Sequence, residues 1–588
     1  MQPAGAGPLR PVAPGIGVEL LGAAASMVCE GSVVVICDGR PWFAEESVQR
    51  LATAEGNARA WKRLWEERGA DFLRHAAGSF AVVIVDVQAR TAHLGCDRFA
   101  IEPLCYAFGD GRLRFAGRAD AVPGIDADTL DHQALYDYLF FHVIPAPRTI
   151  FRGVRRLPGG HAAQATTARL EVRAYWTPHF EAGRTASFAA LEEQFRSLLR
   201  TAVRRQAAAD TPGAFLSGGT DSSTVAGMLG EVTGAPPRTY SIGFQAEGYD
   251  EIEYARVTAR HFKADHHEYY VTPQDLVDSI PAIARHYDQP FGNSSALPAY
   301  YCCRLARTDG IRRLLAGDGG DELFGGNTRY ATQRIFQAYG FLPQALRRRL
   351  IEPALVGTSW PKAIPIVRKA ARYVEQARIP MPDRMHTYNL LDWLGPDQVL
   401  EADFRAGVDL EEPRRQQREI YAAVDASQLN AMLAYDWKYT LADSDLPKVC
   451  GAASLAGIEV SFPLLDDDLV DFSLSLPDSY KVYGFKLRHF FKEALKGFLP
   501  DATLRKKKHG FGLPFGVWLS RHGALKELAR ASLHDLARRG LVRPAFVDEL
   551  IGRRMEDHAK FYGEMIWILM MLEQWLSSRA PSFRVGRT

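Results

Sequence analysis

The stretch that most constrains this chain is a short strand, a glycine pair and a helix start. It reads Gly213-Ala214-Phe215-Leu216, then Ser217-Gly218-Gly219-Thr220-Asp221-Ser222-Ser223. The apolar run predicts a buried strand, and Thr224-Val225-Ala226-Gly227-Met228-Leu229 predicts the first turns of a helix. Two glycines between them let the backbone turn tightly and come close to a ligand. Serine hydroxyls and the free N–H groups of a helix start then face that ligand, which suits an anion and most often a phosphate. The spacing is not G-x-x-x-x-G-K-S/T, so this is not the Walker-type loop.

A second turn of the same kind follows about a hundred residues later. Leu314-Leu315-Ala316-Gly317 leads into Asp318-Gly319-Gly320-Asp321-Glu322, a strand ending in an acidic, glycine-rich turn. Carboxylates facing a phosphate loop suit Mg²⁺, which takes oxygen ligands and bridges phosphates. Strands alternate with helical patterns across 210–330, which predicts a parallel sheet with helices on both faces. Ligands of such sheets gather at the C-terminal ends of the strands.

The remaining chain sets the frame. At 588 residues the length allows two to four domains. Short strands at 32–36 and 79–86, with helical spacing of Trp61, Leu64 and Trp65 between them, predict an α+β sandwich up to about residue 180. Residues 188–205 carry one apolar helical face, and 239–244 form a second strand of the parallel sheet. His266-His267 falls in a strand, where neighbours point to opposite faces, so the pair is read as structural. Residues 331–430 read as a helical cover, and 561–575 as a core helix. Residues 1–16 are rich in Pro, Gly and Ala and are expected to be loosely attached. The net charge of +2 gives no basic field for nucleic acid. No apolar run reaches the length of a membrane span. Seven scattered cysteines and no secretory signal fit a reducing cytoplasm.

Ser217-Gly218-Gly219-Thr220-Asp221-Ser222-Ser223 resembles the S-G-G-x-D-S-S pyrophosphate loop of enzymes that cleave ATP between the α and β phosphates. More of the chain resembles the asparagine synthetase family. Gly69-Ala70-Asp71-Phe72-Leu73, Gly78-Ser79-Phe80-Ala81 and Cys96-Asp97-Arg98-Phe99-Ala100-Ile101-Glu102-Pro103-Leu104 look like that family's glutaminase domain. The resemblance implies an N-terminal Ntn-type glutaminase-like sandwich at 1–180 and a C-terminal ATP pyrophosphatase domain with helical additions at 188–576. It also implies ATP and Mg²⁺ as cofactors.

By the same resemblance, Leu216, Ser217, Gly218, Gly219, Asp221, Ser222 and Ser223 hold ATP, with Ile242 at the adenine and Ala316 and Gly317 at the second turn. Asp221 and Asp321 hold the metal. Asp318 sits beside the acyl-adenylate, and Lys486, then Lys492, stabilises charge in catalysis. Asp288, Ser294 and Gly319 line the substrate side. The basic run at 505–508 is expected in a loop at the mouth of the site.

The chain departs from the family in two places. The family's glutaminase uses a cysteine directly after the initiator Met, where this sequence has Gln2, and no match exists for the Asn-Gly-Glu that helps grip glutamine. A degenerate glutaminase domain is expected. The family form K-V-D-R-x-S-M is here Lys448-Val449-Cys450-Gly451-Ala452-Ala453-Ser454, and the arginine of E-x-R-x-P is Ser461. Serine cannot grip a carboxylate bidentately as arginine does, so an acid other than free aspartate is expected. The expected function is an AMP- and pyrophosphate-forming amide synthetase, in its specialised form a lasso-peptide-type macrocyclase. The alternatives are an asparagine synthase using ammonia, free or from a partner glutaminase, and a non-catalytic scaffold. Expected partners are a small-molecule or peptide carboxylate and an amine, with a precursor peptide, partner proteins and a second copy of the chain left open.

Overall fold

The computed structural model describes residues 10–13, 16–18, 25–126, 129–181, 186–207, 211–246, 248–356, 365–387, 389–506 and 512–586. The chain start and 507–511 of the basic run lie outside the described residues.

The N-terminal half is built on a six-stranded antiparallel sheet. Its spatial order is Leu170–Ala174, His161–Ala165, Thr91–Cys96, Ala76–Asp86, Val33–Phe43 and Ser26–Glu30. One face is covered by two helices, Glu46–Glu55 and Asn57–Arg68, where the sequence pattern marked one. Trp61 and Leu64 on the second helix are wholly buried, and the Trp61 ring meets Phe43, Phe72 and Phe80. The other face buries Leu94 and Cys96 with Leu104, Tyr106 and Leu157.

The Cys96-to-Leu104 run is held by its aspartate. Asp97 Oδ1 accepts from the N–H groups of Phe99 and Ile101, and Oδ2 from those of Glu102 and Phe80. A carboxylate taking four backbone donors fixes a turn that would otherwise leave them unsatisfied. That motif is therefore structural.

The C-terminal half contains a five-stranded parallel sheet. Its spatial order is Asp265–Val271, Arg238–Phe244, Gly213–Phe215, Arg313–Leu315 and Glu459–Ser461. In chain order that is 3-2-1-4-5. The order reverses between the first and fourth strands, so the loops leaving them run apart and open a crevice. Helices 273–286, 296–308 and 446–456 are among those flanking the sheet. Helical segments between Thr328 and Asp436 form the cover expected there.

The halves share one core. Leu135, Tyr138 and Phe140 of the N-terminal half pack in the same cluster as Tyr240, Ile280, Leu391 and Trp575. The helix Ala559–Arg579, whose Met and Trp side chains are buried, runs through it. Tyr138 Oη donates to the Ile568 carbonyl at 2.8 Å, and Trp575 Nε1 donates to that of Tyr287 at 3.1 Å. No helix among the described residues is long and apolar enough to cross a membrane.

Candidate active site

The crevice at the reversal point is a cleft of about 950 Å³. Its floor is made by the two loops that leave the first and fourth strands. They touch backbone to backbone: a Cβ on Gly317 would stand 2.6 Å from the Ser222 nitrogen. Gly218 has φ +70°, and its α-carbon lies against Tyr254 and Ala255, so a side chain there meets both strain and backbone.

The helix Thr220–Thr233 starts without a side-chain cap, which leaves its first N–H groups free for an anion. Ser217 Oγ and Ser222 Oγ lie 2.9 Å apart, both on the cleft. Ser223, one step around the helix, points the other way: it is fully buried, with its hydroxyl 3.0 Å from Thr258 Oγ1. Gly218 and Ala316 shape the turns without lining the cleft; the Ala316 N–H donates to Ser461 across the sheet. Leu216, Gly219, Ile242, Gly317 and Gly319 do line it.

Asp221 and Asp321 converge as the sequence predicts, but on a side chain it did not single out. Arg488 Nη1 is 2.5 Å from Asp221 Oδ1, while Nη2 contacts Asp321 Oδ1 and Nη1 also contacts Thr220 Oγ1. Arg488 is buried and has φ +52°, an uncommon left-handed conformation for an arginine. That turn, between the hairpin strand Lys486–Leu487 and the helix His489–Ala494, swings its guanidinium inward. Lys486 lines the cleft too but is exposed at the hairpin. Lys492 lines the cleft and interacts with Asp221. Burial, then the Arg488 charge, pushes its ammonium below the ordinary lysine range, while Asp221 opposes this. Burial raises the Asp221 carboxyl, against the pull of Arg488 and Lys492. Two carboxylates reached by one guanidinium are also an oxygen pair that fits Mg²⁺, which commonly takes one or two protein carboxylates plus substrate phosphates.

On the other wall stands Asp318. Lys448 Nζ lies 3.6 Å from Asp318 Oδ1 and 2.9 Å from Asp445 Oδ1. Burial raises the Asp318 carboxyl and Lys448 lowers it. Burial works against the Lys448 charge, yet Asp445 and Asp318 outweigh it and hold the lysine firmly protonated. Asn293, whose amide reaches Ser444 Oγ at 3.1 Å, completes this corner. The lysine of the K-V pair was visible in the sequence; its two carboxylate partners were not.

Asp288 is corrected by the structure. It does not reach the cleft. Its carboxylate pairs with Arg156 at 2.9 Å and accepts from the Ala119 N–H at 2.8 Å, at the seam of the two halves. Arg156 and Arg118 hold it below the usual aspartate range against the effect of burial. Ser294 is also off the cleft, and its neighbours Asn293 and Ser295 line it instead. His266 and His267 behave as the strand geometry requires: His266 Nδ1 meets Thr239 and His267 Nδ1 meets Asp309. Of the basic run, Lys506 closes the mouth, 3.0 Å from Glu251 and over the Tyr254 ring.

Known proteins bear on this arrangement. The asparagine synthase family matches residues 194–577, which include both loops, Lys448 and Arg488. The chain belongs to the asparagine synthase family. The glutamine amidotransferase domain family matches residues 49–176. Asparagine synthetase (glutamine-hydrolyzing) 1 of Bacillus subtilis is 24% identical over 524 residues, covering 88% of this chain and 79% of that one. Asparagine synthetase (glutamine-hydrolyzing) 3 of the same organism is 26% identical, over 76% and 68%. Amidase chry2 of Gibberella zeae is 24% identical over 77% of this chain and 72% of its own. As a member of the asparagine synthase family the chain is an ATP-dependent carbon–nitrogen ligase.

Proposed function

We propose that this asparagine synthase family member activates a substrate carboxylate as an acyl-adenylate and couples it to an amine on a peptide, without hydrolysing glutamine itself. The observation that carries the activation step is the convergence of Asp221, Asp321 and Arg488 beside the uncapped helix start. A carboxylate oxygen attacks the ATP α-phosphorus, the bond to the bridging oxygen breaks, and pyrophosphate leaves. The helix N–H groups, Ser217, Ser222, Arg488 and Lys492 bind its charge. Mg²⁺, held by Asp221 and Asp321, supplies further charge neutralisation on the phosphates when bound. Asp318, whose carboxyl Lys448 pulls down against burial, takes a proton from the attacking amine; the C–N bond forms and AMP departs.

Two features support a peptide amine over ammonia from glutamine. Among the described residues of the N-terminal half, Cys37, Cys96 and Cys105 are buried, with burial pushing the Cys37 and Cys105 thiols up to about 11. Cys29 lies in the edge strand Ser26–Glu30, in mid-strand. The three buried thiols do not resemble a poised nucleophile, which needs a depressed pKa or an adjacent base. The sequence also has Ser461 where the family form carries an arginine. The names of the Bacillus relatives favour the second reading, asparagine formation.

Carboxylate-dependent ATP–pyrophosphate exchange over aspartate, other amino acids and short peptides tests both. Exchange with peptides and cyclic or ligated product supports the proposal. Exchange with aspartate alone, followed by asparagine from ammonia, replaces it with the second reading. Glutamate released from glutamine by the purified chain would sink the claim about the N-terminal half.

A further inference from the structure

The large apolar side chains that the chain leaves in solvent are concentrated on one side of the cleft. Tyr483 and Phe485, at 58% and 70% exposure, sit on the hairpin that carries Lys486. The hairpin packs on the helix Thr328–Gly340, where Ile335 is exposed. Beyond that helix stand Phe341 at 87% and Leu350 at 64%, and Ile366 at 76% on the helix Pro365–Ala377. The two helices are fastened to each other by Phe336, Tyr339 and Val374 on their buried sides, so the exposed side chains are not spare core residues. Isolated surface apolar groups are ordinary, but a run of them along adjoining elements marks an interaction surface.

The same segments carry cations without an ion-pair partner among the described residues. Arg348, Arg349, Arg368, Lys369 and Arg372 form no ion pair with any described residue. The acids on these segments are Glu352, engaged by Arg378 and by the Tyr339 hydroxyl, and Glu375, fewer than the five cations. For a chain with net charge +2 this is a pronounced local excess. A second copy of this face would meet like charge. The surface is continuous with the cleft, because Thr328, Phe485 and Lys486 belong to both.

We propose that the hairpin Val482–Leu487 and the segments 328–351 and 365–377 form the docking surface for a polypeptide substrate bearing acidic and apolar side chains, held there while its reacting groups enter the cleft. The proposal rests on the peptide reading above and adds where the peptide is gripped. Apolar anchors supply affinity, and unpaired cations supply attraction and register. A bilayer would use the same chemistry, but continuity with the reaction cleft favours the substrate.

The test uses the full chain and a fluorescein-labelled twenty-residue peptide alternating Glu-Glu with Leu-Phe, beside a counterpart with every Glu replaced by Lys. Fluorescence anisotropy measures binding with no ATP present, so it is independent of the chemistry. The expected result is binding of the acidic peptide that weakens with salt, weakens about tenfold in Phe341→Ala/Leu350→Ala, and weakens similarly in Arg348→Glu/Arg349→Glu. The Lys peptide should not bind. These residues are exposed, so unchanged thermal melting should accompany the loss. Equal binding by wild type and both double variants overturns the proposal. So does binding to vesicles of phosphatidylglycerol and phosphatidylcholine with no peptide binding. Absence of exchange in the wild type would count against the peptide-ligase reading instead, and leaves the two failures distinguishable.

Discussion

Arg488 and Asp221 form a buried ion pair across 267 residues of chain, with Nη1 2.5 Å from Oδ1. The same guanidinium reaches Asp321. This cation sits between two half-buried carboxylates that face the cleft beside it. In the proposed mechanism the charge-stabilising role expected of Lys486 falls to Arg488, with Lys492 behind it.

Replacing Arg488 by Lys should lower ATP–pyrophosphate exchange about 100-fold, the cost of losing a preorganised donor to developing charge. A lysine keeps the charge but loses the fork that spans both aspartates. Lys486→Ala should change exchange by no more than a few-fold. Equal losses in the two variants would return the role to Lys486.

In the proposed mechanism the Asp318–Lys448 contact tunes the ionisation of the base. Lys448 lowers an Asp318 carboxyl that burial raises. Removing the cation lets the raised state prevail, so the base holds its proton to higher pH. In Lys448→Met the acidic limb of amide formation should move toward higher pH, with a rate loss of about tenfold on that limb and less on the plateau. Lys448→Arg should restore the limb. A uniform loss across the pH range would mean that Lys448 only supports the fold.

Asp288 should matter for stability and not for substrate. Breaking a buried pair leaves Arg156 uncompensated, at a cost of about 3 kcal/mol. Asp288→Asn should therefore lower the melting temperature while leaving the KM for ATP unchanged. A raised KM with unchanged melting would restore it to the substrate side.

Burial holds His142 and His386 near pKa 4, below the ordinary histidine value of 6.5. Both are neutral in the folded chain at pH 7. The unfolded chain takes up their protons as pH falls through about 6.5, so stability drops from there down to about pH 4. Each contributes up to about 3 kcal/mol over that window. Thermal melting between pH 7 and 5 should show the slope. It should flatten in His142→Asn, a neutral residue that tolerates the left-handed backbone at φ +66°.

What the sequence revealed and concealed follows from distance along the chain. The phosphate loop is local: strand, glycines, hydroxyls and helix lie within a dozen residues, and the structure keeps Ser217, Ser222 and Asp221 on the cleft. Helical periodicity alone could have turned Ser223 away, one step of about 100° past Ser222. Asp288 looked like a ligand contact because polar loop residues near a cleft often are. Its partners, Arg156 and Ala119, lie more than a hundred positions away. Lys486 outranked Arg488 because a left-handed residue reverses which side chain of a hairpin exit points inward, and φ is not written in residue type unless the residue is glycine. The charge of Lys448 was readable, and its placement between Asp318 and Asp445 needed the fold.

The shared core carries a practical consequence. Tyr138 and Phe140 are packing partners of the helix Ala559–Arg579, so the N-terminal half serves as one wall of the ligase. Cutting the protein between its two family matches would strip that wall and expose a seam of aromatic surface. Whatever chemistry this segment carries, its packing makes it a permanently bound chaperone of its neighbour.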